Sequence, residues 1–126
     1  MRRLALTAVI LVGTAGMGLA QDKAGEVASL PKNVTIVDGK QIVEILAKGT
    51  YMPRLTAAKA NFPTTIKVYT LGTFDCTLAL TIPSLGYRTM LPRTGETLIE
   101  LPAQKEGATL QGVCGMAMYN FLVMFN

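Results

Sequence analysis

The heptapeptide CGMAMYN, residues 114–120, places Cys114, Met116 and Met118 within five positions. One thiol and two thioethers this close are soft donors that can converge on a metal ion. The same residues also serve as small, flexible core packing beside a disulfide. The remaining sulfur residues beyond the first twenty positions are Met52, Cys76, Met90 and Met124. Cys76 and Cys114 are the only cysteines, and they lie 38 positions apart. A bridge between them would stabilise the fold by about 3–4 kcal/mol on a chain-entropy basis, with no metal involved. Both readings stay open at this point, and they are compatible: a thiol pair when metal-loaded, a disulfide when empty and oxidised.

The census of other side chains narrows the chemistry. The chain has no histidine and no tryptophan. Serine and cysteine triads, the usual zinc hydrolase sites and the two-histidine blue-copper site are therefore excluded. The acidic residues are scattered, and no glycine-rich phosphate loop occurs, so no enzyme is expected. Thiolate and thioether donors select Cu(I), and Ag(I) by the same logic, over hard cations. Zinc requires imidazole or more thiolates than two cysteines supply. Two neighbouring thiolates also tend to reduce Cu(II).

The elements that must position these sulfurs are strands. Of 126 residues, the first twenty begin with the basic MRR and continue as the apolar run LALTAVILVGTAGMGLA. This reads as a secretory signal peptide over residues 1–20, cut before Gln21, which implies an exported, periplasmic location and no membrane association after cleavage. Its alternative is an uncleaved membrane anchor. Removing Arg2 and Arg3 lowers the net charge from +4 to +2. The charges form no basic run and have no interleaved aromatics, so nucleic acid is not an expected partner. Residues 21–33 read as a polar tether, and residues 34–126 as one domain.

Within that domain, short apolar segments alternate with turn signals about every ten residues: VTIV, QIVEILA, LTAAKA, TTIKVYTLG, DCTLALTIPSLG, YRTML, TGETLIELPA, ATLQGVCG and NFLVMF. No segment has a helical period. The spacing predicts an all-β sandwich or barrel of seven to eight strands. Cys76 falls in a strand with Leu78, Leu80 and Ile82 on one face. MAMY forms the loop between the last two strands, with Gly115 allowing a tight turn. Met124 reads as core packing, and Met90 as core or partly exposed. Met52 can face either way. Asp75 reads as a solvated turn residue that could tune Cys76. Tyr119 reads as an aromatic packed over the loop.

In order, the segments GTYMPRLT, KANFPTTIKV, DCT, IPSLG and CGMAMY resemble the cupredoxin-like domain of small exported copper proteins and of some copper-transporting ATPases. The typical pattern there is Y-x-P, K-A-G-x-P, C-T, P-x-L-G and C-G-M-G-M-Y. The resemblance runs over roughly residues 34–126. It implies a Greek-key β-sandwich with a copper site at one end. It implies one ligand from the strand carrying Cys76 and the others from Cys114, Met116 and Met118. Taken with the donor chemistry, which selects Cu(I), it points to a role in copper transfer, sequestration or tolerance, with a copper-donating or copper-accepting protein as partner. Electron transfer with the same fold is a second role. A metal-free interaction module with a Cys76–Cys114 disulfide is a third. The chain departs from the pattern at Asn61, where the glycine would stand, and in having NFLV after the closing loop.

Overall fold

The computed structural model describes residues 30–126. The expected signal peptide and residues 21–29 of the expected tether lie outside the described residues.

Among the described residues, ten strands form: β1 (Val34–Val37), β2 (Lys40–Ala47), β3 (Tyr51–Met52), β4 (Leu55–Ala58), β5 (Thr64–Thr70), β6 (Ala79–Ile82), β7 (Tyr87–Met90), β8 (Gly95–Leu101), β9 (Thr109–Cys114) and β10 (Asn120–Phe125). Single 3₁₀ turns at Cys76–Leu78 and Pro83–Leu85 flank β6. The excess over the seven to eight strands expected lies in short pieces. β3 is two residues inside the KGTYMP segment read as a turn.

The first sheet runs β1-β2-β5-β8, with β3 also paired to β2; the second runs β4-β10-β9-β6-β7. β2 pairs β5 in parallel, and β4 pairs β10 in parallel. Every other pairing is antiparallel. Parallel neighbours cannot be joined by a tight hairpin, so the chain crosses between the sheets to make them. The result is the all-β sandwich expected.

Alternation decides which side chains fill the space between the sheets. β5 reads buried at Thr64, Ile66, Val68 and Thr70, with Thr65, Lys67 and Tyr69 outward. β10 buries Phe121, Val123 and Phe125. Met124 therefore points to the outer face and is only half-buried, a correction to its reading as core. Val43 and Ile45 from β2 meet Leu80 and Ile82 from β6 in the same cluster. Gly112 lies opposite Phe121 in the β9–β10 ladder. A Cβ at Gly112 would come within 2.3 Å of the Phe121 ring, so glycine there makes room for the aromatic.

Two polar side chains tie the ends together. Buried Gln41 donates to the Lys59 carbonyl and to Thr64 Oγ1, and accepts from the Lys59 N–H. Asn33 donates to the Glu44 carbonyl and to Thr56 Oγ1, linking the two sheets. Each is a buried or half-buried amide with its donors satisfied, as the cost of burying an unpaired polar group demands.

Candidate metal centre

One end of the sandwich gathers the last residues of β2, β5 and β9 and the first residues of β6, β8 and β10. The registers Ala47↔Thr70, Thr70↔Gly95, Leu80↔Cys114 and Asn120↔Val113 fix this. Cys76 and Cys114 both lie at this end.

Cys76 does not sit on a strand, as the alternation had suggested; it opens the 3₁₀ turn before β6. Asp75 is the reason. Its carboxylate accepts from the Thr77 N–H at 2.9 Å and from Thr77 Oγ1, which caps the turn. Its other oxygen accepts from the Gly49 N–H at 2.8 Å. Three donors to one carboxylate hold it in the ionised form. The Thr77 side-chain bond leads in lowering its pKa, and burial opposes. Asp75 is thus a structural cap rather than a free turn residue.

The turn is also held from below. Tyr51, fully buried on β3, donates its hydroxyl to the Thr77 carbonyl at 3.0 Å. Its ring stands edge-on to Phe121, with centroids 5.2 Å apart. The phenol pKa is raised, first by burial and then by Cys114, Cys76 and Asp75 nearby.

Cys114 is the last residue of β9 and is 1% exposed. Its N–H donates to the Tyr119 carbonyl, and its carbonyl accepts from the Ala117 N–H. These bonds close residues 114–119 into a tight loop, in which Ala117 adopts φ +58°. Gly115 packs so closely on Ala79 that an added Cβ would lie 3.1 Å from the Ala79 Cβ.

The two sulfurs stand 3.2 Å apart, and both cysteines are free thiols. Their surroundings make them unequal. Burial pushes the Cys76 thiol up to about 11, reinforced by its hydrogen bond to Cys114 and by the charges of Cys114 and Asp75. Burial acts on Cys114 too, but there it is outweighed. The Tyr119 N–H donates to Cys114 Sγ at 3.4 Å, and the Cys76 thiol and the Met116 and Met118 N–H groups add to it. The Cys114 thiol therefore ionises more readily than the Cys76 thiol, which donates its hydrogen bond to it.

Of the four sulfur residues singled out from the sequence, the structure brings Cys76 and Cys114 together. Met116 and Met118 ride on the same closing loop but are 73% and 64% exposed. Their backbone N–H groups serve the Cys114 sulfur, while their thioethers face solvent. Met52 and Met90 are exposed as well. Met90 pairs with Ala79, which Gly115 touches, so it lies beside the closing loop. Tyr119 is half-buried and packs on the core. Among the described residues, no cluster of three or more His, Cys, Asp or Glu side chains exists. The donors on offer at this end are soft. Tyr51 and Thr77, which fix the height of Cys76, were given no role by the sequence reading. Tyr51 stood in the Y-x-P part of the resemblance, and that was the available signal.

No family model matches the chain, and no curated protein matches it. Solved structures do. One is the metal-binding domain of the Streptococcus pneumoniae Cu(I)-exporting P-type ATPase CopA with Cu(I): TM-score 0.65 and 19% identity, covering 74% of this chain and 92% of that one. Another is a copper-binding protein in its apo form: TM-score 0.66 and 21% identity, covering 77% of this chain and 98% of that one. At these identities the likeness is one of fold.

Proposed function

We propose that the protein is an exported copper-binding protein that holds Cu(I) for transfer, sequestration or tolerance. The observation that carries this is the pair of free thiols 3.2 Å apart at one end of the sandwich. Thiolate–metal bonds of about 2.3 Å allow both sulfurs to reach one ion. Met116 or Met118 supplies a third soft donor by turning its thioether inward from the closing loop. A thiolate–thioether set without imidazole favours Cu(I). The fold is shared with two copper-binding domains, one of them described with Cu(I). We read it as a binding protein rather than an enzyme. The exposed position of the loop lets a copper-donating or copper-accepting protein reach the ion.

The test is an anaerobic titration of the reduced protein with Cu(I) against a coloured chelator, repeated with Cys76→Ser and with Met116→Ala/Met118→Ala. The expected result is one tightly held equivalent in the wild type, lost in Cys76→Ser and weakened in the double methionine variant. No uptake by a folded wild type would remove the copper reading and leave a sandwich with two packed thiols.

A further inference from the structure

We infer that the Cys76–Cys114 pair is a two-electron reductant of cupric ion, yielding Cu(I) and closing into a disulfide. This deepens the copper reading by naming the oxidation state in which the ion arrives, and it rests on that reading for the site.

Three observations carry it. The first is distance. A disulfide sulfur–sulfur bond is about 2.05 Å, so the pair at 3.2 Å needs to close by only about 1.2 Å. The structure assigns that motion to one side. Cys114 is fixed by the β6–β9 register and by backbone bonds to Tyr119 and Ala117. Cys76 is half-buried on a single 3₁₀ turn and is free of strand pairing.

The second is isolation. Cys114 is 1% exposed, so its sulfur is out of reach of a thiol on another molecule. Electrons taken from this pair are replaced by a bond between its own two sulfurs, not by an interchain link. Loss of one electron leaves the unpaired electron shared over both sulfurs, and a second cupric ion takes the next.

The third is the donor set. With no histidine in the chain, the site offers Cu(II) no imidazole to stabilise it against thiolate. Reduction is the way this arrangement accommodates the ion.

The balance is complete. Two thiols and two Cu(II) give one disulfide, two Cu(I) and two protons. Both S–H bonds break, one S–S bond forms, sulfur is oxidised, copper is reduced and the protons pass to water. The oxidant is the cupric ion itself. The disulfide then withdraws both thiolates, so the spent protein no longer holds copper through them until a thiol reductant resets it.

The experiment mixes the reduced, oxygen-free protein with two equivalents of Cu(II) and a chelator that colours only with Cu(I). The expected result is two Cu(I) per chain, loss of both thiols, a monomer lighter by two hydrogens, and a Cys76–Cys114-linked peptide on digestion. Persistence of both thiols beside unreduced Cu(II) overturns the proposal, and so does thiol loss through interchain dimers. Cys114→Ser should halve the yield and shift the product to dimers through Cys76; an undiminished monomeric yield also overturns it. The Cu(I) titration is separate. A protein that holds added Cu(I) but leaves Cu(II) unreduced removes this inference alone. One that reduces Cu(II) but takes up no Cu(I) removes the storage reading alone.

Discussion

The hydroxyl of Tyr51 donates to the carbonyl of Thr77 at 3.0 Å, so a strand of the first sheet holds the turn that presents Cys76. The link joins the first sheet to the turn that leads into β6 of the second. Tyr51→Phe keeps the edge-on contact with Phe121 and removes only this bond. The expected cost is about 1–2 kcal/mol, because a buried carbonyl loses its partner. Urea unfolding should show it, and Cu(I) affinity should fall several-fold as Cys76 loses its support. Unchanged affinity in a destabilised variant would mean that the bond serves the fold alone.

Asp75 caps the same turn and also binds Gly49. Asp75→Ala should cost about 1 kcal/mol, the usual value of a lost cap. The folded protein lowers the Asp75 pKa, so its stabilising effect is present above the unfolded value and is lost as pH falls through the folded one. The gap in thermal midpoint between wild type and variant should thus be full at neutral pH and narrow in acid. A gap independent of pH would assign the effect to packing rather than to the carboxylate.

Cu(I) affinity should rise with pH. Cys76 keeps its proton up to about 11, and the bound ion must displace it. Below that point each unit of rise in pH should strengthen apparent binding by about tenfold through this one proton. Cys114, with its pKa lowered, contributes less. Chelator competition across neutral to mildly alkaline pH reads the slope directly, and a flat profile would contradict a thiol at Cys76 that is protonated before binding.

Ala117 holds a left-handed conformation, φ +58°, in the closing loop. A side chain there costs about 1–2 kcal/mol, and glycine avoids it while losing part of the gain to its freer unfolded chain. Ala117→Gly should therefore raise stability by about 0.5 kcal/mol in chemical denaturation. A loss of stability would show that the Ala117 methyl makes packing contacts that outweigh its backbone strain.

The strands that alternate cleanly, such as TTIKVYT, were legible because polar residues mark their outer face. NFLVMF was legible as a strand but not in its facing, because every residue from Phe121 to Phe125 is apolar. Met124 was accordingly placed in the core, although it alternates with Phe121, Val123 and Phe125. Cys76 was assigned to a strand because Leu78, Leu80 and Ile82 carry a period of two. The Asp75 cap, formed with Thr77 and distant Gly49, bends the chain before that period begins. The sulfur residues themselves were visible as a group. Their unequal exposure was not, since it depends on which backbone N–H groups of the loop turn toward Cys114. The parallel pairings were also hidden, because they join strands far apart in sequence.

The β4–β10 pairing sets an order of events. Leu55 meets Leu122, so the second sheet is completed only when segments far apart in the sequence find each other. Non-local pairing of this kind slows folding. Until β10 is seated, Phe121 does not support Tyr51, and the Cys76 turn lacks its prop. A half-folded chain therefore carries two separated thiols. On the proposed function, ion capture is then a late checkpoint, open only to molecules that have finished folding.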